Sequence, residues 1–129
     1  MNQPLDDSNI YPIAVYVTVN QHGVATCTCA PTQADLLPPP GVTLTYTLTA
    51  PTGWVFPDTG AVIVPLPANQ FPDPSVTASG GMSATLFDEN TDGHSYAYTV
   101  CVVKTGTTES VLHDPVIKNG GVSMCDPGI

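Results

Sequence analysis

The chain has no arginine and only two lysines, Lys104 and Lys118, against eleven acidic residues, which leaves a formal net charge of -9. A surface so short of cations repels phosphate backbones and anionic lipid headgroups, so nucleic acid and membrane surfaces are poor partners for it. No apolar run approaches the eighteen or so residues needed to cross a bilayer, and no segment shows helical periodicity between caps. The opening MNQPLDDSN lacks the basic and apolar regions of a secretory signal, which makes the cytoplasm the expected address. Catalytic motifs are missing too: there is no GxSxG elbow, HExxH pair or phosphate-binding glycine loop. His113 and Asp114 are adjacent, so on a strand they face opposite ways and cannot serve as a base and its orienting acid. Glu89 and Glu109 could belong to a carboxylate-dependent hydrolase but are explained as solvated surface acids. The chain is not expected to be an enzyme.

What is present is β patterning. Ile13, Val15, Val17 and Val19 alternate with Ala14, Tyr16 and Thr18 up to a turn at residues 20–23, and residues 24–29 supply a hairpin partner. Residues 30–41 contain Pro31 and Pro38-Pro39-Pro40, which remove backbone donors, and are expected to form a loop over the surface or across an edge. Val42, Leu44, Tyr46 and Leu48 then alternate with Thr43, Thr45, Thr47 and Thr49, a half-buried strand. Short strands are expected near Trp54 and Phe56, over residues 61–66, 76–78 and 82–87. In the tyrosine-rich strand His94, Tyr96, Tyr98, Val100 and Val102 share one face. A last strand begins at Ser110 and is limited by Pro115. Fourteen prolines and eleven glycines punctuate this series. The pattern predicts an all-β fold, a single immunoglobulin-like β-sandwich of about 7–9 antiparallel strands. The sandwich would span residues 10–129, after a loosely held tail at 1–9. One domain of this length buries roughly two thirds of its unfolded surface and needs no staple.

The run Asp92-Gly93-His94-Ser95-Tyr96-Ala97-Tyr98 resembles the tyrosine corner of immunoglobulin-like domains, in which a tyrosine hydroxyl near the start of a central strand ties back to nearby backbone. Tyr96 would be the corner tyrosine. Tyr98 stands where antibody domains carry a cysteine, so their inter-sheet disulfide is absent. The string His113-Asp114-Pro115-Val116-Ile117-Lys118-Asn119-Gly120-Gly121, with the tyrosine strand before it, resembles the DP-EP family of uncharacterised bacterial proteins. That resemblance implies a bacterial β-sandwich and assigns no functional residue. A similar tail occurs in bacterial inclusion-body proteins, which favours self-association.

Four groups of residues are candidates for a site. Asp88-x-Asn90-x-Asp92-Gly93 matches the first half of a calcium loop, but position 12 would be Thr99, and the same residues make ordinary turns. Cys27 and Cys29 lie two apart on one strand face, too far for a mutual bridge. With Cys101, Cys125 or a histidine they could hold zinc, yet buried free thiols in a core face with Ala25 are the simpler expectation. The threonine row on residues 43–49 resembles in pattern the flat arrays of ice-binding proteins; such a surface must be repeated on neighbouring strands, and one strand alone is explained by good β chemistry. Trp54 and Phe56 could anchor a sugar or protein partner, or fill the core. Taken together, these features predict a protein that acts by association, as a homo-oligomer or with a protein partner, through a sheet edge or the loops around Trp54 and Pro38–Pro40. Calcium or carbohydrate binding is the alternative.

Overall fold

A computed structural model of the chain describes residues 10–38, 40–65 and 69–121. The tail at 1–9, Pro39 and Cys125 lie outside them. Twelve strands follow in order: β1 (Ile10–Val19), β2 (Ala25–Ala30), β3 (Gln33–Asp35), β4 (Val42–Thr49), β5 (Trp54–Val55), β6 (Val62–Ile63), β7 (Val76–Thr77), β8 (Ser83–Asp88), β9 (Ser95–Ala97), β10 (Thr99–Lys104), β11 (Ser110–His113) and β12 (Val116–Lys118). Among the described residues there is no helix, and so none long and apolar enough to cross a membrane.

One layer is a five-stranded sheet in the order β2-β1-β4-β8-β7. The opposite layer is built from two ladders, β11-β10 with β5 and β6, and β3-β12-β9. Their registers run on from one another. Val100 faces His113, Ala97 faces Val116, and between them Tyr98 N–H donates to the Pro115 carbonyl at 3.1 Å. β9 with β10, and β11 with β12, are therefore interrupted halves of one hairpin. β4, β8 and β7 stand in the order of strands B, E and D of an immunoglobulin sandwich, and the opposite layer in the order C, F and G.

The all-β class is as the sequence predicts. The count is higher than 7–9 because prolines and turns break long strands in two: Pro57 and Gly60 part β5 from β6, and Pro115 parts β11 from β12. Two pairings are parallel where the pattern predicts only antiparallel ones, β1 with β4 and β3 with β12. β1 lies between β2 and β4, so the first strand of the fold is internal to its sheet. β3 falls within the expected loop at 30–41, and β12 follows the proline expected to end the last strand.

Alternation puts Ile13, Val15 and Val17, Leu44, Tyr46 and Leu48, and Tyr98, Val100 and Val102 into one core between the layers. Tyr46 and Tyr98 meet there edge to face, with ring centroids 6.2 Å apart. At the β1–β2 turn Asn20 Oδ1 accepts the N–H groups of His22 and Val24 at 2.8 and 3.0 Å, which fixes the hairpin register.

Candidate functional site

The calcium-like string forms a buried polar network at the end of β8. Asp88 and Asn90 are both 0% exposed. Asp88 Oδ1 accepts Asn90 N–H at 2.8 Å, and Asn90 takes a left-handed φ of 54°, a conformation asparagine tolerates better than most residues. Asn90 Nδ2 donates to the Leu37 carbonyl at 3.1 Å, while its Oδ1 accepts Gly120 N–H at 2.7 Å. Asn119, also fully buried, donates to Asp92 Oδ1 at 3.0 Å and to Gln70 Oε1 at 3.2 Å. The side chains of this string thus tie three distant segments to the corner: the loop after β3, the stretch at Gln70 and the residues after β12. Among the described residues no three of His, Cys, Asp and Glu come close enough to share a metal ion. Asp88, Asn90 and Asp92 are a joint in the fold, and the oxygens a calcium ion would take are largely engaged.

Electrostatics separates the two acids. Burial pushes the Asp88 carboxyl up to about 6, against a smaller lowering by the Asn90 N–H and the nearby Asn119 amide. Asn119 is near enough to exert that pull, yet Asp88 Oδ2 makes no hydrogen bond of its own, and neither does Asn119 Oδ1. Partial burial also pushes on Asp92, but Tyr96, the His94 N–H and Asn119 outweigh it and hold that carboxyl below its usual range. Tyr96 is the corner tyrosine by position. Its hydroxyl donates to the Asp92 side chain at 2.5 Å, whereas an immunoglobulin corner bonds to backbone. Its ring meets Phe71 edge to face at 5.3 Å. Beside this corner opens a cleft of about 740 Å³ whose walls include Asn69, Asp92, His94 and Tyr96.

Trp54 and Phe56 are 3% and 1% exposed. Both belong to the hydrophobic core cluster, the second of the two places the sequence allows them. Cys27 and Cys29 are buried free thiols, as the strand spacing predicts, and Cys101 is half-buried and free. Burial pushes Cys27 up to about 11 and Cys29 to about 12, each raised further by a neighbouring thiol. Burial pushes the Cys101 thiol up as well, but Cys101 is the more exposed of the three, so a maleimide at pH 7.5 is expected to modify it before either β2 cysteine, which should react only on unfolding. Peptide mass mapping reads this out, and equal rates at Cys27 and Cys101 would mean that β2 opens in the native state.

A further feature emerges only when the strands are placed in register. On β4 the residues facing away from the core are Thr43, Thr45, Thr47 and Thr49. Their partners on β8 are Phe87, Thr85 and Ser83, with Val76 of β7 beside Thr85. On the other flank Ile10, Pro12, Ala14 and Tyr16 of β1 stand beside the threonines, and Thr28 and Thr26 of β2 continue the rows from Tyr16 and Thr18. The threonine row of β4 is not repeated on β1, and only Thr85 continues it on β8, but the row belongs to a wider face of uncharged side chains. Among the described residues no Asp, Glu, Lys, Arg or His of these strands stands on this face. Its margins carry exposed apolar groups, including Tyr16 at 41% and Val76 at 63% exposure.

No family model matches the chain, and no curated protein matches it.

Proposed function

We propose that this chain acts by association, without catalysis, and that the outer face of the five-stranded sheet is its docking surface. The observation that carries the reading is that, among the described residues, the strands of this face present no charged side chain on it although the chain carries -9. Surfaces of soluble domains are ordinarily studded with charge, and an extended neutral face with exposed aromatic and aliphatic side chains is the composition of an interface. Docking there requires no desolvation of ions, while every threonine keeps a hydroxyl with which to hydrogen-bond a partner. A place among the small bacterial DP-EP proteins belongs to the same proposal and rests on residues 113–121 and the tyrosine strand.

The alternative of calcium or carbohydrate binding has less support. Asp88, Asn90 and Asp92 are engaged in the corner network, and Trp54 and Phe56 are in the core. The cleft beside Tyr96 is the widest of the cavities described for a sugar to enter, and neither Trp54 nor Phe56 lines it.

Hydroxyl-radical footprinting tests the proposal. Tyr16 and Phe87 should be labelled in the dilute purified protein and protected in the producing cells. Equal labelling in both settings would count against a docking role for the face.

A further inference from the structure

We infer that the occupant of this face is a second copy of the chain, laid face to face with the first. The inference rests on the docking proposal above and adds the partner. Two molecules of charge -9 repel wherever their acids approach, and two lysines per chain are too few to offset this. The outer face of the five-stranded sheet is one place where copies can meet without bringing acids together, and it is wider than the uncharged row of Val55, Ile63, Val103 and Leu112 on the opposite layer.

Shape and chemistry agree with that pairing. A twofold contact matches each surface against itself, so it suits a face that is neutral throughout and penalises one that carries a single sign of charge. Threonine, serine and alanine in the middle of the face keep side chains short, which lets two sheets approach to the usual separation of about 10 Å. Tyr16 and Phe87, standing at its flanks, can cover the seam. Strands of six, ten, eight, six and two residues, about 4.8 Å apart and rising about 3.3 Å per residue, offer roughly 500 Å² per copy, or roughly 1,000 Å² in all. That only reaches the approximately 1,000 Å² expected of a specific interface, so the pairing should be concentration-dependent and not permanent. The protruding rings and Val76 spoil the flatness that an ice surface would need, and a second protein copy accommodates them better.

Sedimentation velocity of the purified chain over a concentration series, in 20 mM and in 300 mM sodium chloride, tests the inference. A monomer–dimer equilibrium is expected, and salt should tighten it several-fold, because screening removes repulsion between like charges and there is no attraction across this face to weaken. Thr47→Glu, which puts an acid at the centre of both copies, should weaken dimerisation at least tenfold. Thr28→Glu gives a second route to the same loss should the first variant fold poorly. Ser110→Glu, which adds the same charge at an exposed site on β11, should leave the dimer intact. A dimer that persists in both threonine variants, or that salt weakens, overturns the inference by placing the contact elsewhere. A monomer at every concentration and salt also overturns it. In that case, protection of Tyr16 and Phe87 in cells would keep the docking reading with a different partner, and loss of that protection as well would remove both.

Discussion

Gly120→Ala is expected to lower the unfolding midpoint by about 10 °C or more, the shift that a loss of roughly 3–5 kcal/mol produces in a domain of this size. The cause is close approach of backbone to backbone. A Cβ on Gly120 would overlap the Leu36 carbonyl oxygen and lie 2.7 Å from its carbon and 2.9 Å from the Leu37 Cα. None of these atoms can rotate aside as a side chain would. The loop after β3 would have to move, and with it the Leu37 carbonyl that Asn90 holds and the Gly120 N–H that Asn90 accepts. Thermal melts followed by near-ultraviolet dichroism measure the effect. A variant that melts with the parent would show that the loop does not press on the residues after β12.

The second large effect is with pH. The Asp88 carboxyl titrates near 6 in the folded protein and near 3.8 when exposed, so the folded state binds its proton more tightly. Acidification therefore favours folding between about pH 6 and 4, and the penalty of the buried carboxylate is fully present above pH 6. Roughly 2 kcal/mol is at stake over that window, enough to raise the midpoint by several degrees between pH 7.5 and 4.5. Relief of the overall negative charge acts in the same direction, so the control is Asp88→Asn. Asparagine keeps an oxygen for the Asn90 N–H and removes the charge that burial penalises. This variant should be more stable than the parent at pH 7.5 and should flatten the pH dependence. Lower stability at neutral pH would mean that the ionised carboxylate is needed, and that a cation has a place beside it after all. Asp92, held below its usual range, contributes with the opposite sign and only in more acidic solution, where its hydrogen bonds are lost.

The strands legible in the sequence are those whose own residues alternate. Residues 42–49 and 13–19 state their burial without reference to any partner, because a period of two decides which side chains meet the core. β3 and β12 are illegible for the opposite reason. Each is three residues long, each adjoins prolines, and they exist because they pair with one another and with β9 across most of the chain. The corner at Tyr96 is visible in the sequence, but its hydrogen-bond partner is not, since whether a hydroxyl meets backbone or a carboxylate depends on where Asp92 points. Asp88, Asn90 and Asp92 stand out as a set. That they face inward to Asn119, Gln70 and Leu37 follows from tertiary placement, which spacing does not carry. The uncharged face is hidden in the same way: its residues belong to separate strands, and only their register shows them to be neighbours.

The lodging of β1 between β2 and β4 bears on how the protein is made. As the chain leaves the ribosome the first two strands can form their hairpin at once, but β1 must wait for residues 43–49 before its other side is covered. The opposite layer waits longer still, because Gln33 finds its partner only in Val116. Such distant pairings carry a high loop-closure entropy and slow the final closure. A nascent chain halted anywhere before β12 would therefore hold an unfinished sandwich with open strand edges, and for most of its synthesis the molecule depends on whatever shields those edges.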